Sequence, residues 1–209
     1  MTSLFPYLED AALSNGFATF EEQAKAAEFW ETPPWAADAI LRAELLTSNV
    51  WDPCCGAGII SEAAKRAGYA VVSGDLHDWG YAGIDTDQMG WSFLDFSMAP
   101  SGLHPGAFTV FMNPPFSMAV EFVNLALRLG ARKVVCFQRF AWYESDERQP
   151  FWEATRPQRI YACADRATCW LGSVPAEERK GGTPATNAWF VWEHGQPAGP
   201  LTGHVRKKS

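Results

Sequence analysis

Residues 49–58 read NVWDPCCGAG, and residues 59–68 continue IISEAAKRAG. The apolar run stops at Asp52-Pro53, the pattern of a strand that ends in a turn. Gly56 and Gly58 let that turn bend tightly and let a ligand approach the backbone. Residues 59–68 have helical composition, and Gly68 is placed to cap the helix. A strand, a glycine turn and a helix form the first unit of an open α/β sheet. Such sheets bind ligands at the carboxyl ends of their strands.

The rest of the chain repeats the alternation. YAVVSGD (69–75), SFLDF (92–96), AFTVFMN (107–113) and RKVVCFQ (132–138) read as further strands. WAADAILRAELL (35–46) reads as a helix behind Pro33-Pro34, and MAVEFVNLALRLG (118–130) as a periodic helix that ends at Gly130. RIYACA (159–164) and NAWFVWE (187–193) are strand-like, with Trp189 and Trp192 expected in the core. Trp30, Trp35 and Trp79 are placed either in packing or along a pocket. The expected fold is α/β, a mostly parallel doubly wound sheet with an antiparallel strand near the C-terminus. Residues 1–30 read as a helical lead-in, 31–196 as a single domain and 197–209 as a flexible basic tail. Residues 141–158 and 165–186 are expected to be excursions from the core, near the ligand.

Composition narrows the class. The 209 residues are 47% apolar and 20% charged, the balance of a globular chain. No apolar run approaches the roughly 20 residues needed to span a bilayer, and MTSLFPYLEDAALSNG has no signal-peptide pattern. The five cysteines (54, 55, 136, 163, 169) form no CxxC pair, and the four histidines are scattered. Reduced thiols, a cytoplasmic setting, no membrane partner and no metal are therefore expected. Net charge is −7, yet it is unevenly spread. Residues 1–104 carry 4 Lys/Arg against 15 Asp/Glu, and residues 105–209 carry 13 against 9. A solvated surface with a basic tail accounts for this. So does a molecule acidic around one ligand and basic around a nucleic acid, for which Arg139, Arg148, Arg166, Arg179 and Lys180 are the candidate contacts.

Two sites carry the chemistry. About 20 residues after the glycine turn, Asp75 ends the second strand, where a carboxylate can accept from ribose hydroxyls. The run G-A-G-I-I-S lacks the third glycine of a dinucleotide site, and Asp52 ahead of it would repel a pyrophosphate and attract a cation. S-adenosylmethionine, with a ribose, an amino group, a sulfonium and no phosphate, fits that pattern. The second site is FMNPPF (111–116). Asn113 offers an acceptor oxygen at the same strand edge. Pro114 and Pro115 stiffen the turn, and proline carbonyls come without backbone N–H donors of their own. Asn113 and the Pro114 carbonyl would together grip a planar amino group and free its conjugated lone pair, while Phe116 offers a stacking face. An Asn-Pro turn closed by a buried Phe is the structural alternative.

With these motifs the chain resembles the amino-methyltransferases that use S-adenosylmethionine. DPCCGAG (52–58) looks like their cofactor loop, NPPF (113–116) like their catalytic tetrapeptide, and ETPPWAADAIL (31–41) like the segment placed before that loop. More narrowly, TPPWA, GDLHDWG (74–80), NPPF and TPATNAWFVWE (183–193) are similar to segments of small adenine-N6 DNA methyltransferases encoded by phages and prophages. The resemblance covers roughly residues 30–193. It implies a Rossmann-like methyltransferase fold, S-adenosylmethionine as cofactor and DNA as partner. It also implies cofactor contacts from Thr32, Pro33, Asp52, Pro53, Cys54, Gly56, Gly58, Asp75, Leu76 and Asp95, and a catalytic role for Asn113, Pro114, Pro115 and Phe116. A separate target-recognition domain, which many relatives carry, has no room here. An RNA base or a protein glutamine amide remains open as acceptor. So do a nicotinamide oxidoreductase, which the missing glycine opposes, and a non-catalytic relic, which the intact NPPF opposes. The sequence leaves the oligomeric state open.

Overall fold

The computed structural model describes residues 19–97, 99–144, 146–181, 185–197, 199–205 and 207. Most of the lead-in, residues 1–18, thus lies outside the described residues. Its last part forms α1 (Phe20–Ala26), opened by a capping box in which Thr19 and Glu22 each satisfy the other's backbone N–H. A short strand β1 (Trp30–Glu31) follows, then α2 (Pro34–Ala43). The central units are β2 (Asn49–Asp52), α3 (Ile59–Arg66), β3 (Ala70–Ser73), β4 (Phe108–Met112), α4 (Ala119–Arg128) and β5 (Lys133–Arg139). After them come α5 (Gln149–Ala154), β6 (Arg159–Cys163), β7 (Trp170–Leu171), β8 (Asn187–Glu193) and β9 (Leu201–Val205).

Seven strands form one sheet in the order β3-β2-β4-β5-β8-β6-β9. β3, β2, β4 and β5 run parallel, and β8 enters antiparallel between β5 and β6. The expected mostly parallel sheet with an antiparallel strand near the C-terminus is what the chain builds. Successive side chains on each strand point to opposite faces, so residues two apart share one. Phe108, Val110 and Met112 join Trp51, Val134, Cys136 and Phe190 on one face, under α4. Phe111 joins Val50, Val135, Phe137 and Trp189 on the other, under α2 and α3. The small side chains of Ala36, Ala37, Ala63 and Ala64 bring those helices close. Each fully buried large side chain, such as Phe111 or Phe137, contributes about 1.5–3 kcal/mol. Both predicted core tryptophans are buried, and Trp189 Nε1 donates to the Ala36 carbonyl at 3.2 Å. Among the described residues no helix is long and apolar enough to cross a membrane.

Three expectations need correction. Residues 92–96 are not a strand: Phe93–Asp95 is a 3-10 turn opened by the Ser92 hydroxyl, which accepts from Leu94 N. Phe93 is drawn into the core against Trp51 and Phe122, so burial wins over the alternating pattern. Residues 141–158 are not an excursion either. Trp142, Phe151 and Trp152 are buried against Phe190 and Trp192, completing one face of the sheet. The 197–209 tail supplies β9, which pairs parallel with β6 from Arg159↔Leu201 to Cys163↔Val205.

Candidate active site

Because β2, β3 and β4 are parallel, the residues that follow them meet at one edge of the sheet. There they surround a cavity of about 600 Å³. Pro53, Cys54 and Gly56 come from the end of β2, Asp75 and Leu76 from the end of β3, and Asn113 and Pro115 from the end of β4. Thr32 lines it from the entry to α2, and α1 covers it with Glu22, Gln23 and Ala26.

The glycine turn has the geometry that only glycine takes easily. Gly56 has φ 52° and Gly58, at the N-terminus of α3, has φ 81°. A Cβ on Gly56 would lie 2.6 Å from Phe29 Cε2, and one on Gly58 would lie 2.3 Å from Tyr81 Cε2. The turn is tied to β3 by Asp75, whose Oδ2 accepts from Gly56 N at 2.9 Å. Asp75 Oδ1 accepts from His77 N at 2.9 Å and from Trp79 Nε1 at 3.2 Å. Burial raises the Asp75 pKa, and those donors only partly offset it. Phe29 stacks on Trp79 with ring centroids 4.3 Å apart, so the two rings form one wall of the cavity.

Asp52 sits behind the turn instead of on the cavity surface. It is fully buried, and its Oδ2 accepts from the Ser61 hydroxyl at 2.7 Å. Burial, with help from the nearby Asp75 carboxyl, pushes its pKa up to about 7. The same burial and the same two carboxyls push the Cys54 thiol up, so it stays neutral. Pro33 and Gly58 also lie outside the cavity lining, and Asp95 is exposed and apart from it.

At the NPPF segment, Asn113 Nδ2 donates to the Trp30 carbonyl at 2.7 Å, which fixes the amide. Asn113 Oδ1 is then buried without a hydrogen-bond partner among the described residues. The Pro114 carbonyl is not free of competing donors as the sequence suggests: Gln138 Nε2 donates to it at 3.2 Å. Of the NPPF residues, Asn113 and Pro115 line the cavity and Pro114 and Phe116 do not; Phe116 carries the Arg139 guanidinium 5.0 Å over its ring. Ser117 N donates to Glu28 Oε2 at 3.0 Å, tying the segment to the chain that enters β1.

The five basic candidates separate. Arg139, Arg166 and Lys180 are exposed. Arg148 is spent on the Trp142 and Glu144 carbonyls. Arg179 pairs with Glu31 at 2.7 Å and donates to the Val174 carbonyl. It ties the 165–186 segment to the cavity rim, where β7 pairs with β1. Sequence reasoning missed Phe29, Gln138 and Glu28. Gln138 left a trace as the polar end of an apolar strand; Phe29 and Glu28 left none. Among the described residues no cluster of three His, Cys, Asp or Glu is placed to hold a metal ion.

Neither a protein-family model nor a curated protein sequence matches the chain. Solved structures do match, and they define the class: the sheet and its helices form the Rossmann-like methyltransferase fold. A putative RNA methyltransferase from Pyrococcus horikoshii is 15% identical with a TM-score of 0.50, covering 85% of this chain and 98% of that one. The methyltransferase subunit of a type I restriction-modification system from Streptococcus thermophilus is 13% identical with a TM-score of 0.53. That match covers 90% of this chain but 52% of the subunit. A putative class I S-adenosylmethionine-dependent methyltransferase from Listeria monocytogenes is 12% identical with a TM-score of 0.52, over 95% of this chain and 70% of that one.

Proposed function

We propose that the protein transfers a methyl group from S-adenosylmethionine to the exocyclic amino group of adenine in DNA. The observation that carries this reading is Asn113 Oδ1, a buried acceptor left without a partner at the cavity edge. A buried amide oxygen without a donor costs roughly 1–3 kcal/mol, a cost that a ligand N–H would remove.

The residues present fit the cofactor. Among the described residues Asp75 Oδ2 carries one donor, Gly56 leaves no side chain in the way, and no Lys or Arg lines the cavity to oppose a sulfonium. Asp75 would hold the ribose, and Pro53, Cys54, Gly56, Thr32 and Leu76 would enclose the rest. Pro33, Gly58 and Asp52 would act by shaping the turn, and Asp95 has no contact to offer from its exposed position. When bound, S-adenosylmethionine supplies an electrophilic methyl group on sulfur and leaves as a neutral thioether.

Asn113 Oδ1 and the Pro114 carbonyl would accept the two hydrogens of the acceptor amino group and draw its nitrogen toward a tetrahedral shape. The nitrogen gains the methyl and then sheds a proton to water, so no strong base is required. Phe116 would stack on the base once Arg139 leaves its face. The base must first leave its helix, at a cost of a few kcal/mol. Because the donor is already activated, alignment is the main task, and positioning supplies roughly 7–11 kcal/mol in favourable cases. Arg139, Arg166 and Lys180 are the cations left to meet phosphates; Arg148 and Arg179 would act only by shaping their loops.

Labelled methyl transfer to unmethylated DNA, to RNA and to protein tests the reading. Label is expected in DNA adenine, and Asn113→Ala should abolish transfer while S-adenosylhomocysteine still raises the melting temperature. Label confined to RNA or protein, or an Asn113→Ala variant that works at the wild-type rate, would overturn it.

A further inference from the structure

Gln138 is 1% exposed and follows the apolar run 134–137 near the end of β5. Burying an amide there destabilises the strand unless both ends of the amide are satisfied. Only one end is. Nε2 donates to the Pro114 carbonyl at 3.2 Å, and Oε1 is buried without a hydrogen-bond partner among the described residues. The side chain also neighbours the Cys136 thiol, two residues earlier on the same strand face, which burial keeps neutral. A Leu or Met would fill the space at no polar cost.

The strand register explains the contact. Met112 pairs with Cys136, so two residues on Pro114 lies beside Gln138. The Pro114 carbonyl has two lone pairs. With one held by Gln138, the peptide plane is fixed and the second lone pair keeps one direction. Asn113 is held in the same way, through its Nδ2 bond to Trp30. Asn113, on the cavity lining, and the adjoining Pro114 carbonyl are thus each fixed by a separate element, β1 for the first and β5 for the second.

We propose that Gln138 is a positioning residue for amino-group methylation, setting the Pro114 carbonyl as the second acceptor for the substrate amine. This rests on the functional reading above, but its core contact can be tested without any substrate.

Gln138→Met keeps the volume and removes the donor. The sequence has two Pro-Pro bonds, 33–34 and 114–115. Protein labelled with 13C-carbonyl,15N-proline therefore gives two directly bonded carbonyl–nitrogen correlations. In cofactor-free Gln138→Met, one carbonyl signal should shift and the other stay, with no fall in melting temperature. On whichever acceptor the wild type methylates, kcat should drop about three- to tenfold, the worth of one neutral hydrogen bond, with KM unchanged. If neither signal shifts, or kcat holds, or kcat falls only as the fold melts, Gln138 does not position Pro114. A shifted signal in a protein that methylates none of the acceptors would mean that the functional reading has failed, and the positioning role with it.

Discussion

The Trp79 indole donates to Asp75 Oδ1, the oxygen that already holds His77 N, and among the described residues leaves Oδ2 with Gly56 N alone. The acid at the end of β3 is therefore asymmetric: one oxygen is saturated and the other has an open lone pair. Trp79→Phe keeps a ring against Phe29 and removes the donor. It should cost about 1–3 kcal/mol in urea unfolding. Affinity for S-adenosylhomocysteine, measured by calorimetry, should not weaken, because Oδ1 gains a free lone pair. A variant as stable as wild type would show that the indole bond contributes nothing.

Gly58 offers a sharper test of the turn. Ala at φ 81° costs roughly 1–2 kcal/mol for the left-handed backbone alone. The added methyl would also meet Tyr81, whose hydroxyl is held by Lys65 and Glu62. Gly58→Ala should therefore destabilise by more than the backbone cost, and Tyr81→Ala should recover the excess but not the rest. Additive losses in the double variant would show that ring and turn are independent.

Asp52 should make stability depend on pH. Its folded pKa is about 7, against about 3.9 in an unfolded chain. Below about pH 4 both states are protonated and the native state bears no charge penalty. As pH rises to 7 the unfolded state ionises first, so stability falls, and above 7 the loss levels off. Asp52→Asn should flatten that slope in urea unfolding at pH 5 and pH 8, and be the more stable protein at pH 8. An unchanged slope would place the titration elsewhere.

The parts of the fold legible in the sequence are those where local pattern and burial agree. Asn187–Glu193 is a strand to the residue, because its apolar run is buried on both faces between two partners. Residues 92–96 misled because their alternation reflects one buried Phe93 and not a sheet face. At the site, Asn113, Gly56 and Asp75 were readable because strand ends in a parallel sheet converge. Phe29 was not, since its place depends on how α1 folds back over Gly56, a contact that no spacing announces. The partnering of Pro114 by Gln138 needs the β4–β5 register, which is likewise invisible in one strand alone.

At the opposite edge of the sheet, Glu44 ties three elements together. It accepts from Lys133 Nζ at 2.7 Å, from Arg159 and from the Tyr161 hydroxyl at 2.7 Å, and Glu193 shares the two cations. Burial opposes the Glu44 charge, yet the bonds from Arg159, Lys133 and Tyr161 outweigh it and hold its pKa below the usual value. Its contribution is full above the unfolded value of about 4.3 and is lost as pH falls through the lower folded one. This slope is opposite in sign to that of Asp52. Glu44→Ala would leave buried Lys133 and half-buried Arg159 to Glu193 alone and should cost about 3 kcal/mol, the low end for breaking a buried pair. A loss under about 1 kcal/mol in urea would mean that the network is solvated and not structural.

The basic half of the chain can be dissected by salt. A cation on a phosphate contributes about 0.9 to the slope of log affinity against log salt, whereas one held internally contributes nothing. Arg139 and Lys180 are exposed, while Arg179 is bound to Glu31 and the Val174 carbonyl. Arg139→Ala and Lys180→Ala should each lower DNA affinity at low salt and flatten the slope by about one. Arg139→Ala should also free the Phe116 ring, so its loss in binding should exceed any loss in kcat. Arg179→Ala should leave the slope unchanged and instead loosen the β1–β7 pair, seen as faster amide exchange at Gly172, whose N–H donates to the Phe29 carbonyl beside that pair. A flattened slope for Arg179→Ala would mean that its guanidinium leaves Glu31 to meet phosphate, and that the 165–186 segment moves when nucleic acid binds.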